Sequence, residues 1–137
     1  MKTLTIPAAL DQLDTVQAFI DQMLDDTTCT PETRIPLQIA VEELFVNIAS
    51  YAYAPGTGNV TVGCSIDPTI PSVTIQFRDR GIPFDPLAKE DADITLSAEE
   101  RRIGGLGIYM VKEFMDELTY SYEDGQNILT MYKTLGA

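Results

Sequence analysis

The chain has 137 residues, 45% of them apolar, which is enough for one domain with a sizeable core. Nine Lys and Arg against 21 Asp and Glu leave a formal net charge of −12. That balance argues against unaided binding to nucleic acid or an anionic membrane, because both need a positive footprint. Histidine is absent and cysteine occurs only at Cys29 and Cys64. This removes Ser–His and Cys–His nucleophiles, phosphohistidine, imidazole zinc sites and four-cysteine cages. Two cysteines also make no disulfide framework, so a reduced, cytoplasmic compartment is expected. The apolar start is broken by Pro7 and Asp11 and reads as no secretory signal. Residues 44–66 are uncharged, but Asn47, Ser50, Pro55 and Asn59 leave an apolar run too short to span a bilayer.

In chain order, residues 3–6 alternate and stop at Pro7, which predicts a short edge strand. From about Ala8 to Asp26, Leu10, Leu13, Val16, Phe19, Ile20, Met23 and Leu24 recur every three or four residues. That spacing predicts an amphipathic helix with an acidic outer face. A second helix is expected from Pro31 or Arg34 to Tyr53, with Pro36 in its first turn and Pro55–Gly56 as its stop. It is apolar on more than one face, Ile35 included, so it should be central and largely buried. Residues 60–66 and 72–79 then read as a β-hairpin. Residues 80–103 lack a sustained period and carry Pro83 and Pro86; a long irregular stretch of this kind often forms a lid. A third helix over Leu106–Leu118 and a closing hairpin around Asp124–Gly125 complete the chain. The order predicts an α+β two-layer sandwich, with helices on one face of a mainly antiparallel sheet.

Three short motifs carry the candidate chemistry. Glu43 and Asn47, four apart on the second helix, share a face. They offer a carboxylate proton acceptor and a neutral oxygen ligand suited to Mg²⁺. Alone, the pair fits a solvated carboxylate and a satisfied core amide better than a site. Asp79-Arg80-Gly81 ends a strand, where a carboxylate beside a glycine can accept the exocyclic amine of adenine, although an ordinary turn explains those residues too. Gly104-Gly105-Leu106-Gly107 opens the third helix, where unpaired N–H groups suit an anion and Arg101 and Arg102 stand just before. A flexible hinge is as good a reading of that segment by itself. It is neither a Walker A loop nor a Rossmann fingerprint.

Taken in this order, the motifs resemble the GHKL superfamily of ATP-binding domains, shared by gyrase, MutL and histidine kinases. Glu43-x-x-x-Asn47 matches the N box, Asp79-x-Gly81 the first glycine box and Gly105-x-Gly107 the second. The runs VEELFVNIA, DRGIPFDPL and GGLGIYMVKEFMDE further resemble the anti-sigma-factor serine kinases. The resemblance covers essentially residues 1–137. It implies a Bergerat-type ATP-binding domain with an ATP lid at about 86–104.

By that resemblance, Asn47 would ligate Mg²⁺, Asp79 would receive the adenine amine and Gly81 would keep the base pocket open. Gly104, Gly105, Leu106 and Gly107 would wrap the phosphates, with Arg101 and Arg102 as candidate phosphate contacts. Glu43 would act as general base towards a serine hydroxyl of a small antagonist protein, and a sigma factor would be the sequestered partner. Homodimerisation is a family expectation. Tyr51 stands where many relatives carry a histidine, and the absence of histidine excludes autophosphorylating histidine kinase activity. Two readings follow: a serine kinase of a partner-switching circuit, or an ATP-binding module that sets partner affinity without phosphoryl transfer. Glu43 favours the first.

Overall fold

The structure, a computed structural model, describes residues 1–88 and 106–135. Five strands form one antiparallel sheet: β1 (Lys2–Pro7), β2 (Asn59–Asp67), β3 (Ser72–Asp79), β4 (Glu117–Glu123) and β5 (Gln126–Thr134), in the order β1-β2-β3-β5-β4. Among the described residues the α-helices are α1 (Leu13–Asp25), α2 (Pro31–Asn47) and α3 (Leu106–Phe114). The α+β architecture and the edge position of β1 are those the sequence predicts.

Strand alternation decides which side chains meet the helices. Val60, Val62 and Cys64 on β2, Val73, Ile75 and Phe77 on β3, and Leu129 and Met131 on β5 all point inward and are buried. They join Val16, Ile20 and Leu24 of α1 and Leu37, Val41, Leu44 and Phe45 of α2 in one core. The opposite face is polar and paired across strands. Thr5 and Thr61 hydroxyls meet at 2.9 Å, and the Gln76 amide donates to the Thr130 hydroxyl at 3.0 Å. Among the described residues the helices therefore cover one face.

α2 packs against both α1 and α3 and is the central helix. It differs from expectation in three ways. Its buried positions form a single stripe (Thr33, Leu37, Ala40, Val41, Leu44, Phe45), so Ile35 is 55% exposed rather than core. It begins at Pro31, which puts Pro36 beyond the first turn, near the exposed start of the helix, where one missing hydrogen bond is cheapest. Its regular part ends at Asn47 and continues as one π-helical turn, Ile48–Ala52. Arg34 ties α2 to α1 through Asp25 at 2.9 Å and Asp21 at 3.6 Å.

α3 ends at Phe114, four residues before the expected Leu118. Met115 and Leu118 fit a helical period, but Leu118 serves the core from β4, opposite Met131. Sheet contacts stop the helix. Lys133 Nζ donates to the Phe114 carbonyl at 2.8 Å, the Asp116 N–H donates to the Tyr132 carbonyl at 3.0 Å, and the Asp116 carboxylate accepts the Thr134 N–H at 2.8 Å. That last bond holds the Asp116 carboxyl below its ordinary pKa. β4 and β5 then join through the two-residue turn Asp124–Gly125, with positive φ at both residues. Of the expected lid, Pro86–Ala88 is a short 3-10 turn; residues 89–105 lie outside the described residues.

Phe45 is fully buried where α2 meets the sheet. Replacing it with Ala removes apolar contact and leaves a cavity, so Phe45→Ala is expected to lower unfolding free energy by about 3–5 kcal/mol in denaturant titration.

Candidate functional site

The end of α2, the end of β3 and the start of β5 enclose a cavity of about 300 Å³. Its walls are largely apolar, with Leu44, Phe77 and Leu129 among them, and its polar side chains include Asn47, Asp79 and Asn127. An apolar pocket with a few convergent polar groups suits a flat heterocycle that needs hydrogen bonds at one edge. Tyr51, Ile82 and Phe84 also line it and stay 42%, 61% and 44% exposed, an unusual outlay of apolar surface at one opening.

Asp79 is the last residue of β3 and is 6% exposed. Its Oδ1 accepts the Gly81 N–H at 2.9 Å and an Asn127 amide hydrogen at 3.0 Å. Its Oδ2 has no hydrogen-bond partner among the described residues. A largely buried carboxylate with one oxygen bonded twice and the other open to the cavity can accept from an N–H donor that enters there.

Asn127 is the residue that motif reading missed. It pairs with Asp79 across β3 and β5, is 7% exposed, and contacts the loop after Asp79. Its amide donates to the Ile82 carbonyl at 2.9 Å, and its oxygen accepts the Phe84 N–H at 3.1 Å and the Tyr120 hydroxyl. The available signal was a polar residue at an inward strand position, in phase with Leu129 and Met131.

Gly81 is buried and does not line the cavity; it lies against the π-helical turn. A β-carbon there would overlap the Ala52 carbonyl, which accepts the Ile82 N–H at 2.9 Å. Tyr53, also missed, ties the same segments together: its hydroxyl accepts the Arg80 N–H at 2.7 Å and donates to the Asn59 carbonyl at 2.5 Å. The end of α2 and the Asp79 loop are thereby held as one unit.

Asn47 lines the cavity and its side chain has no hydrogen-bond partner among the described residues. Glu43 lies one turn earlier and is partly buried, while Glu42 beside it is exposed. Burial, and then the charge of Glu42, push the Glu43 carboxyl above its ordinary pKa. Gly107, in the first turn of α3, packs on Glu43: a β-carbon there would overlap Oε2. The carboxylate of the first motif thus meets the start of α3, as the motif order suggests. Leu106 opens α3; Arg101, Arg102, Gly104 and Gly105 lie outside the described residues. No group of three or more metal-ligating Cys, Asp or Glu occurs among the described residues. A lone amide oxygen fits Mg²⁺, which takes few protein ligands and keeps water and substrate phosphates in its shell.

A glutamate whose pKa is raised by folding favours the protonated form. Its contribution to stability is full below the ordinary value of about 4.3 and is lost as pH rises through the folded value. Glu43→Gln, which stays neutral, is therefore expected to melt above the unmodified chain at pH 7. The gap should close as pH falls below the ordinary glutamate range, as read by thermal unfolding.

Among the described residues no helix is long and apolar enough to cross a membrane. Comparison with known proteins gives a consistent result. Serine/threonine-protein kinase BtrW of Bordetella bronchiseptica is 29% identical over 98 residues, covering 72% of this chain and 68% of BtrW. Serine-protein kinase RsbW of Listeria monocytogenes is 25% identical over 132 residues, covering 93% of this chain and 83% of RsbW. The crystal structure of RsbU and RsbW domains from Mycobacterium tuberculosis superposes with a TM-score of 0.66 at 18% identity, over 98% of this chain and 33% of that one, and so shares the fold. The family model described as the histidine kinase-like ATPase domain matches residues 6–133, and the chain belongs to that family.

Proposed function

We propose that the chain is an ATP-dependent protein-serine kinase of a partner-switching circuit. The observation that carries this reading is Glu43, a carboxylate of α2 with a raised pKa that packs against the start of α3, one turn from the cavity-lining Asn47. A module that only binds nucleotide has no need to hold a carboxylate there. The kinase relatives named above support the same reading.

In this reading adenine occupies the apolar cavity and its exocyclic amine donates to Asp79 Oδ2. The triphosphate runs past Asn47 towards the start of α3, where unpaired N–H groups favour anions. Arg101, Arg102 and the Gly104–Gly107 segment are the residues we assign to the phosphates, from the motif order. Asn47 would hold Mg²⁺, which when bound would offset phosphate charge. Glu43 accepts the proton of an incoming serine hydroxyl as its oxygen bonds to the γ-phosphorus. The bond from that phosphorus to the β–γ bridging oxygen breaks and ADP departs. Such transfer is chiefly positioning and charge compensation, so a sparse set of residues suffices. The serine belongs to a small antagonist protein, whose phosphorylation state governs release of a sequestered partner such as a sigma factor. The kinase acts in the cytoplasm as a homodimer.

Incubation with γ-labelled ATP, Mg²⁺ and an antagonist protein encoded beside this chain is expected to yield phosphoserine. Glu43→Ala should lower transfer at least 100-fold while nucleotide still binds. Nucleotide binding with no transfer to any neighbouring antagonist would favour the binding-module reading instead. Asp79→Ala and Asn47→Ala should each weaken Mg·ATP binding at least tenfold in calorimetric titration, and chelation of Mg²⁺ should do the same to the unmodified chain. Unchanged affinity in both variants would overturn the site assignment.

A further inference from the structure

We propose that Asn127 is a positioning residue of the nucleotide site: it selects which oxygen of Asp79 a ligand meets and holds the cavity mouth open. The inference rests on the nucleotide-binding reading above, and adds a determinant that none of the sequence motifs contains.

The primary amide of Asn127 offers two donors and two acceptor positions, and all four are used. The donors go to Asp79 Oδ1 at 3.0 Å and the Ile82 carbonyl at 2.9 Å, with the Gly81 carbonyl further off at 3.5 Å. The oxygen receives the Phe84 N–H at 3.1 Å and the Tyr120 hydroxyl. Asn127 therefore has nothing left for a ligand and acts through Asp79. With Asn127 and the Gly81 N–H both donating to Oδ1, rotation of the carboxylate is blocked and Oδ2 alone remains for a donor in the cavity. A ligand edge with an N–H fits there, and one with a carbonyl meets a like charge.

The same amide decides the shape of the mouth. Ile82 and Phe84 line the cavity yet stay 61% and 44% exposed, so burial does not hold them. Backbone bonds to Asn127 tie both residues to β5, and the Ile82–Ala52 bond ties the loop to the π-helical turn. Serine or threonine at 127 supplies one donor in place of two. Aspartate supplies none when ionised and sets a second negative charge against Asp79.

That last property makes the role testable. In Asn127→Asp the new carboxyl faces Asp79 on β3, Tyr120 and Tyr122 on β4 and Asp85 in the loop. Tyr51 from the π-helical turn lines the same cavity, Arg80 reaches across to the Asp124 carbonyl, and α2 contributes the uncharged Leu44 and Asn47. The introduced carboxyl, in a buried position beside Asp79, is the group whose charge a comparison between pH 5.5 and 8.5 varies. Protonated, it donates to Asp79 and partly restores the arrangement; ionised, it repels Asp79.

Mg·ATP affinity of the full chain and of Asn127→Asp, measured by calorimetry at both pH values, is the test. The ratio of the two dissociation constants is expected to be about tenfold at pH 5.5 and about 100-fold or more at pH 8.5. A ratio near one, or a loss independent of pH, would overturn the proposal while leaving the nucleotide reading intact. Failure of the unmodified chain to bind Mg·ATP at either pH would overturn both. If Asn127→Asp does not fold, Asn127→Ser should weaken binding about tenfold and speed exchange of the Phe84 amide hydrogen; unchanged affinity would overturn the proposal. A Phe84 amide already exchanging at the unprotected rate in the unmodified chain would also overturn it.

Discussion

A carboxylate at the end of a central strand must be held largely buried with one oxygen bonded and the other open to a cavity, and much of the molecule answers that requirement. Asp79 sits between β2 and β5, where its neighbours cannot shift without breaking two strand pairings. Register places Asn127 opposite it, and the loop that follows returns the Gly81 N–H to the same oxygen. The two hydrogen bonds to Oδ1 fix that carboxyl at the wall of a largely apolar pocket. A shift of β5 by one residue would turn Asn127 to the opposite face and leave Asp79 without its clamp.

The helices add the second half of the constraint. α2 is anchored through Phe45, Leu44 and Val41, so the face carrying Glu43 and Asn47 is fixed by core packing rather than by polar contacts. Its π-helical extension then docks on the Asp79 loop at Ala52 and Tyr53. Gly107 lets α3 approach Glu43 more closely than any larger residue allows. On the proposed reading stability and function pull apart here, because the packing that brings the carboxylate to the start of α3 is also what disfavours its charge.

Charge completes the picture. The chain carries a net −12, and among the described residues no Lys or Arg lines the cavity. On the proposed reading, compensation of a triphosphate falls to bound metal, to N–H groups at the start of α3 and to a few arginines before it. The unfavourable total is no obstacle when neutralisation is local, since surface carboxylates beyond about 10 Å are screened by salt.

Periodicity and motif order were legible because they are local. The amphipathic α1, the β2–β3 hairpin, the Asp124–Gly125 turn and the shared face of Glu43 and Asn47 follow from spacings of two, three or four residues. Local spacing could not locate the end of α3, because Met115 and Leu118 suit a helix as well as a strand until Lys133, Tyr132 and Thr134 compete for the same backbone and side chain. Nor could it show that Ile35 stays in solvent, which depends on where α1 and the sheet stop covering α2. The amino-acid sequence by itself determined the fold class, the absence of histidine chemistry and the order of the three motifs. Only the tertiary structure decided that Asn127 and Tyr53 belong with them, because a hydrogen bond between residues 48 apart exists only after strand register brings them together.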